Sequence, residues 1–150
     1  MAVVSGQARV ASVAAILTVG GRYALQLRDN PPTRIAFPGH WGLFGGERAR
    51  GEGPREAVRR EIAEELVLDV SEWRELWTVP YRSAFDGHLA RCAVFAAEVT
   101  ALWPRHRLRE GRAVGLFALE SLPQPIIPLA VELLERYDQE RPVARGDDRA

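Results

Sequence analysis

The sequence predicts a single α/β domain built on a mixed sheet. Short apolar runs bounded by Gly, Pro and Asp-Gly turn signals read as strands, whereas residues 54–66 and 129–137 carry helical patterning. Strands and helices are mixed along the chain, and 150 residues suit one domain with a continuous core.

Residues 8–19 and 22–28 read as a hairpin turned at Gly20-Gly21. The run VASVAAILTV behind Arg9 has the outline of a signal-peptide core. It is too short to span a bilayer and leads directly into a second strand-like run, so a buried strand and a cytoplasmic protein are expected. Residues 29–41 (DNPPTRIAFPGHW) have paired prolines and no hydrophobic period, hence a loop. A short apolar piece, 41–44, runs into Gly45-Gly46, and 47–53 alternates charge with glycine as an exposed loop does.

Pro54 needs no backbone N–H in a first helical turn, and Val58, Ile62 and Leu66 follow at i, i+4 and i+8. Strand-like stretches at 70–82 and 88–99 meet near Asp86-Gly87, a hairpin signal. A loop (100–112), a strand (113–118), a Pro-rich link and a last helix (129–137) complete a domain spanning 1–138. The tail 139–150 (QERPVARGDDRA) has little to bury and is expected to be disordered.

Twenty acidic residues balance twenty basic ones, so no net charge draws the chain to nucleic acid or to an anionic membrane. All twenty basic residues are arginine, which excludes Schiff-base and lysine-nucleophile chemistry and a P-loop lysine. The one cysteine, Cys92, cannot form an internal disulfide and lies in an apolar run, where it reads as a small core residue. Ser83, Asp86 and His88 straddle a tight turn, which does not produce the geometry of a catalytic triad.

The chemistry concentrates in 45–68, GGERARGEGPREAVRREIAEELVL. On a helix, Glu61, Glu64 and Glu65 fall within an arc of about 100° that borders the apolar stripe of Val58, Ile62 and Leu66. Carboxylates there sit at the rim of the buried surface. Glu61 and Glu65 repel at i, i+4, and Arg60 offers a partner to Glu64. Clustered carboxylate oxygens without thiol or imidazole suit Mg²⁺ or Mn²⁺, although a solvated helix face has the same composition.

The spacing Gly46, Glu52, then Arg60-Glu61-Ile62-Ala63-Glu64-Glu65 and Leu68 resembles the Nudix box, G-x5-E-x7-R-E-U-x-E-E-x-G-U, where U is a bulky aliphatic. Val67 is the one departure, standing where the family has glycine. The similarity extends over roughly 10–137, including QLRDN and FPGHWGLFGG, and implies a Nudix-type α/β/α sandwich with a mixed β-sheet. It further implies metal ligands at Glu61, Glu64, Glu65 and the Gly45 or Gly46 carbonyl, with Gly46 the first choice, a general base at Glu61 or Glu65, and Glu52 with Arg60 as an orienting pair. A helix-capping glycine takes positive φ, which a β-branched valine should avoid, so the end of the helix is expected to be re-routed at Val67.

Glu110, in the loop before the last strand, is a candidate further ligand or base. Arg28 is placed to meet a phosphate, and Trp41 and Phe85 are the aromatics near which a base could stack, while Phe44 reads as core. The resemblance implies metal-dependent hydrolysis of a nucleoside diphosphate linked to another moiety, with a small nucleotide as substrate and a homodimer as one option. A Nudix domain that binds a nucleotide without cutting it is the alternative, but such domains usually lose a box glutamate and all four stand here. An isoprenoid-diphosphate isomerase would need a catalytic cysteine, and Cys92 has no matching motif. The substrate stays open. Ser83 occupies the place where ADP-ribose hydrolases of the family tend to carry proline, and Phe85 only approximates the tyrosine of dinucleoside polyphosphate hydrolases.

Overall fold

The computed structural model describes residues 9–30, 35–84 and 86–141. Their elements run β1 (Val10–Val19), β2 (Arg22–Leu27), β3 (Trp41–Gly42), β4 (Phe44–Glu47), α1 (Pro54–Leu66), β5 (Arg74–Arg82), β6 (Leu89–Glu98), β7 (Ala113–Phe117) and α2 (Pro128–Glu140). One sheet holds all seven strands, ordered β3-β2-β1-β6-β5, with β4 paired to β1 and β7 to β2. The β1–β6 pair is parallel, in register Val13↔Ala93 to Thr18↔Glu98, and the other pairs are antiparallel. This is the mixed sheet expected from the sequence.

Strand β1 is central, which explains why its sequence is almost continuously apolar rather than alternating. Ala15 and Leu17 join the core under α1 with Phe44, Val58, Ile62, Leu66 and Phe95. Ile16 points to the opposite face, where α2 contributes Ala130, Leu133 and Leu134 to a second core with Leu25 and Val94. The two helices thus cover the two faces of the sheet, giving the α/β/α layering. No helix among the described residues is long and apolar enough to cross a membrane.

Two sequence expectations need correction. The last helix runs three residues beyond 137, so Gln139 and Glu140 are helical rather than the start of a tail. Arg136 donates to the Glu140 carboxylate at 2.9 Å, and the Trp77 indole donates to it at 3.2 Å; these bonds anchor the final turn. Residues 142–150 of the expected tail lie outside the described residues.

The second correction concerns Val67, which does not re-route the helix but takes the left-handed conformation itself, at φ 57° and ψ 38°. Leu66 before it and Leu68 after it are both buried, which fixes the path of the chain on either side. The open carbonyls of the last turn are also satisfied from outside: the Arg107 N–H donates to Leu66 O at 2.9 Å and the Arg109 N–H to Glu65 O at 2.8 Å. Tertiary contacts therefore override the local preference of a β-branched residue.

Candidate active site

Loop 47–53 is fastened to α1 by one guanidinium. Arg60 donates to both oxygens of Glu52, from Nε at 2.7 Å and from the second terminal nitrogen at 2.9 Å, and the latter also reaches the Glu47 carbonyl at 3.1 Å. Glu52 in turn accepts the Ala49 N–H at 2.8 Å. The Arg60 bonds, and then the Ala49 N–H, hold the Glu52 carboxyl down at about 2, well below the usual glutamate range. The remaining terminal nitrogen of Arg60 donates to Glu61 at 3.0 Å and to both oxygens of Glu64 at 3.1 Å. Arg60 thus joins loop 47–53 to the helix.

Glu65 is the deepest carboxylate, 3% exposed. It accepts the Gly45 N–H at 3.0 Å, and the Gln26 amide lies 3.4 Å from its other oxygen. Only glycine can stand at position 45: φ is 145°, and a Cβ there would lie 2.2 Å from the Val13 carbonyl oxygen. Burial first, then the negative charges of Glu61 and Glu110, push the Glu65 carboxyl up to about 8 against the Gly45 hydrogen bond. Burial likewise raises Glu61. The Glu61 carboxylate rests on Gly46, where a Cβ would come within 2.6 Å of it.

Glu110 comes from another part of the chain. The bonds from Arg107 and Arg109 to the end of α1 lay this segment along the helix, and Glu110 joins Glu61 and Glu65 in lining a pocket of about 290 Å³. Gln26, Arg28 and the Gly45-Gly46 backbone form other walls of that pocket. The structure therefore brings Gly46, Glu61, Glu65, Glu110 and Arg28 to one place. Glu64 faces the adjoining, more exposed surface beside Ala63, Arg109 and Glu110.

Trp41 is a correction. Its half-buried ring packs edge-on against Phe117 with centroids 5.0 Å apart and lies against the core under α2, and it does not line the acidic pocket or the cleft beside it. Phe85 lies outside the described residues. Sequence reasoning missed Gln26, a strand glutamine only 4% exposed, and Phe37, an exposed loop aromatic at the edge of the neighbouring cleft. A polar residue inside the apolar run of β2 was the available signal for Gln26.

Among the described residues no three acidic, His or Cys side chains converge on one point as a metal cage. Arg60 holds Glu61 and Glu64, while Gly45 and Gln26 hold Glu65. The donor chemistry nonetheless fits a hard divalent cation, because the pocket gathers carboxylate and carbonyl oxygens and no sulfur or imidazole. The mutual repulsion of Glu61, Glu65 and Glu110 is the unfavourable term that such a cation would relieve.

The family model of the NUDIX domain matches residues 8–137. The nucleoside triphosphatase NudI of Salmonella arizonae is 38% identical over an alignment of 73 residues that covers 45% of this chain and 50% of that protein. The chain thus spans about half the length of the curated relatives it matches. The MutT NUDIX hydrolase of Burkholderia pseudomallei superposes with a TM-score of 0.72 at 30% identity, covering 86% of this chain and 98% of the other. The NUDIX domain of Shewanella oneidensis NrtR, solved with ADP ribose, shares the fold at a TM-score of 0.68 and 20% identity, covering 89% of each chain.

Proposed function

Since the chain belongs to the Nudix hydrolase family, we propose that it cleaves the phosphoric anhydride of a nucleoside diphosphate derivative with the help of Mg²⁺ or Mn²⁺. The observation that carries this reading is the gathering of Glu61, Glu65 and Glu110 around one pocket, where burial and mutual repulsion raise Glu61 and Glu65. Glu61, Glu64, Glu65 and the Gly46 carbonyl would hold the cation, with Glu110 as a further ligand. When bound, it neutralises phosphate oxygens and lowers the pKa of an attacking water.

The chain's own residues supply the rest. Arg28, on the pocket wall with its Nε–H tied to the Ala36 carbonyl at 2.8 Å, has terminal nitrogens to offer an anionic phosphate oxygen. Water attacks one phosphorus, its proton passes to the Glu61 or Glu65 carboxylate, and the bond from that phosphorus to the bridging oxygen breaks, releasing the other phosphate. Arg60 and Glu52 keep loop 47–53 and the helix carboxylates in fixed relation.

The Salmonella relatives are named nucleoside triphosphatases, so nucleoside triphosphates are the first substrates to test. Such a substrate would give a nucleoside monophosphate and pyrophosphate, and would suit a cytoplasmic enzyme. The experiment is a panel of nucleoside triphosphates, ADP-ribose and sugar nucleotides with Mg²⁺ or Mn²⁺, read as released phosphate products. Turnover of at least one compound that stops with chelator is expected. Nucleotide binding without turnover of any compound would replace the hydrolase reading with that of a binding module.

A further inference from the structure

Gln26 stands where the strand pattern calls for an apolar side chain. Tyr23 and Leu25 of β2 join the core under α2, Ala24 joins the core under α1, and Gln26 follows Ala24 on that second face. Val114, its partner on β7, packs against the same core. Gln26 is nevertheless only 4% exposed, so its amide is withdrawn from water in the wall of the acidic pocket. Burying an amide is unfavourable unless its polar atoms are bonded.

The amide nitrogen lies 3.4 Å from the Leu43 carbonyl oxygen and 3.4 Å from Glu65 Oε2. A backbone carbonyl can only accept, so Leu43 fixes which end of the amide is the NH₂. One hydrogen serves Leu43 and the other serves Glu65. The amide oxygen turns toward Gly111, where a Cβ would lie 3.0 Å from it, so the glycine after Glu110 leaves the room this orientation needs. At the other oxygen of Glu65, the Gly45 N–H of β4 donates at 3.0 Å. Each carboxylate oxygen therefore accepts from a donor whose own direction the sheet has fixed.

We propose that Gln26 is a positioning residue of the acidic pocket, fixing the direction of the Glu65 carboxyl group together with the Gly45 N–H. The inference rests on the hydrolase reading for the cation that Glu65 would hold. A carboxylate that accepts one N–H at each oxygen keeps lone pairs for a cation and cannot turn without losing a bond. Partners of this kind, behind a metal ligand, are worth roughly 10–100-fold in metal affinity or activity. Gln26 acts through Glu65 and not on the substrate, so its effect belongs in cation affinity and kcat.

The test uses the full chain freed of metal. Mn²⁺ alone, without nucleotide, is titrated calorimetrically into the parent protein and into Gln26→Met, which keeps the side chain's length and loses the amide; Gln26→Leu repeats the comparison with a branched side chain. Mn²⁺ binding is expected to weaken by roughly tenfold, and kcat for a nucleoside triphosphate to fall with KM nearly unaltered. Urea unfolding without metal checks that each variant folds and supplies a second readout. In Glu65→Gln the Gly45 N–H keeps the amide oxygen on its side, so the new NH₂ faces that of Gln26, donor against donor. Glu65→Gln should therefore be tolerated less well in the parent background than in the Gln26→Met background. A folded Gln26→Met with unaltered Mn²⁺ affinity and kcat overturns the inference, even if it is less stable, because the side chain then only fills space. A parent protein that binds Mn²⁺ but hydrolyses nothing refutes the hydrolase reading, and the Mn²⁺ comparison still decides the role of Gln26. If the parent binds no Mn²⁺, the cation assignment falls and the urea cycle decides: non-additive midpoints uphold the positioning of Glu65, and additive ones overturn it.

Discussion

Replacing Val67 with glycine should make the protein more stable. Val67 holds φ 57°, and a left-handed conformation costs a residue bearing a Cβ roughly 1–2 kcal/mol, which glycine does not incur. Glycine returns part of that gain by giving the unfolded chain more freedom, about 0.4–1 kcal/mol. Lost packing is small, because Val67 is 44% exposed and belongs to neither core cluster. The net expectation is a stabilisation of about 0.5–1 kcal/mol, which for a domain of this size moves Tm up by roughly 1–4 °C. Urea unfolding should show the same change as a higher midpoint with an unaltered slope. Val67→Ala is the control: it removes the methyls and keeps the strain, so it should be no more stable than the parent protein. A glycine variant that melts at or below the parent temperature would refute the claim that position 67 is strained. An alanine variant as stable as the glycine one would show that the valine methyls, not the backbone, are at fault.

The remaining expectations concern the acidic pocket. Saturating Mg²⁺ or Mn²⁺ should raise Tm, by the equivalent of about 2.7 kcal/mol at a hundredfold excess over Kd; an unchanged melting curve with both ions removes the metal assignment. Glu64→Gln should lower kcat/KM by roughly 10²–10⁴ without unfolding the protein, whereas Glu56→Gln, whose side chain only accepts the Gly53 N–H at the start of α1, should leave it nearly intact. Gly46→Ala should displace the Glu61 carboxylate, a flexible side-chain end, and so cost activity, while Gly45→Ala meets the Val13 backbone and should cost folding; comparing melting curves with kcat/KM separates the two. The folded pKa of Glu52, about 2, lies below its ordinary 4.5, so its stabilising contribution is in place above about pH 4.5 and is lost as pH falls toward 2. Glu52→Gln should therefore flatten the acid limb of the stability–pH curve, and an acid limb identical to the parent's would show that the Arg60 pair carries no linkage.

What was legible in the sequence was whatever the chemistry confines to a short span. Glu61, Glu64 and Glu65 sit on one helix, so spacing alone placed them on a common face, the box resemblance joined Glu52 and Arg60 to them, and Gly20-Gly21 marked the first hairpin by local conformation. What was not legible depends on distant partners. Glu110 reaches the pocket because the Arg107 and Arg109 amides pair with carbonyls at the far end of α1, a contact no local pattern records. The same two bonds hold Val67 where its own preference would not put it. Trp41 lies away from the pocket for a reason a two-residue strand is too short to show; it pairs with Leu27, and its half-buried ring packs on Phe117 against the core under α2. Phe37 shows the converse. Its surroundings in FPGH signal a loop and nothing more, and only the fold sets its exposed ring at the edge of the cleft beside the acidic pocket. Local chemistry thus identifies the acidic pocket, while the adjoining cleft is assembled from β1, β5 and the loop before β3, whose residues meet only in the folded chain.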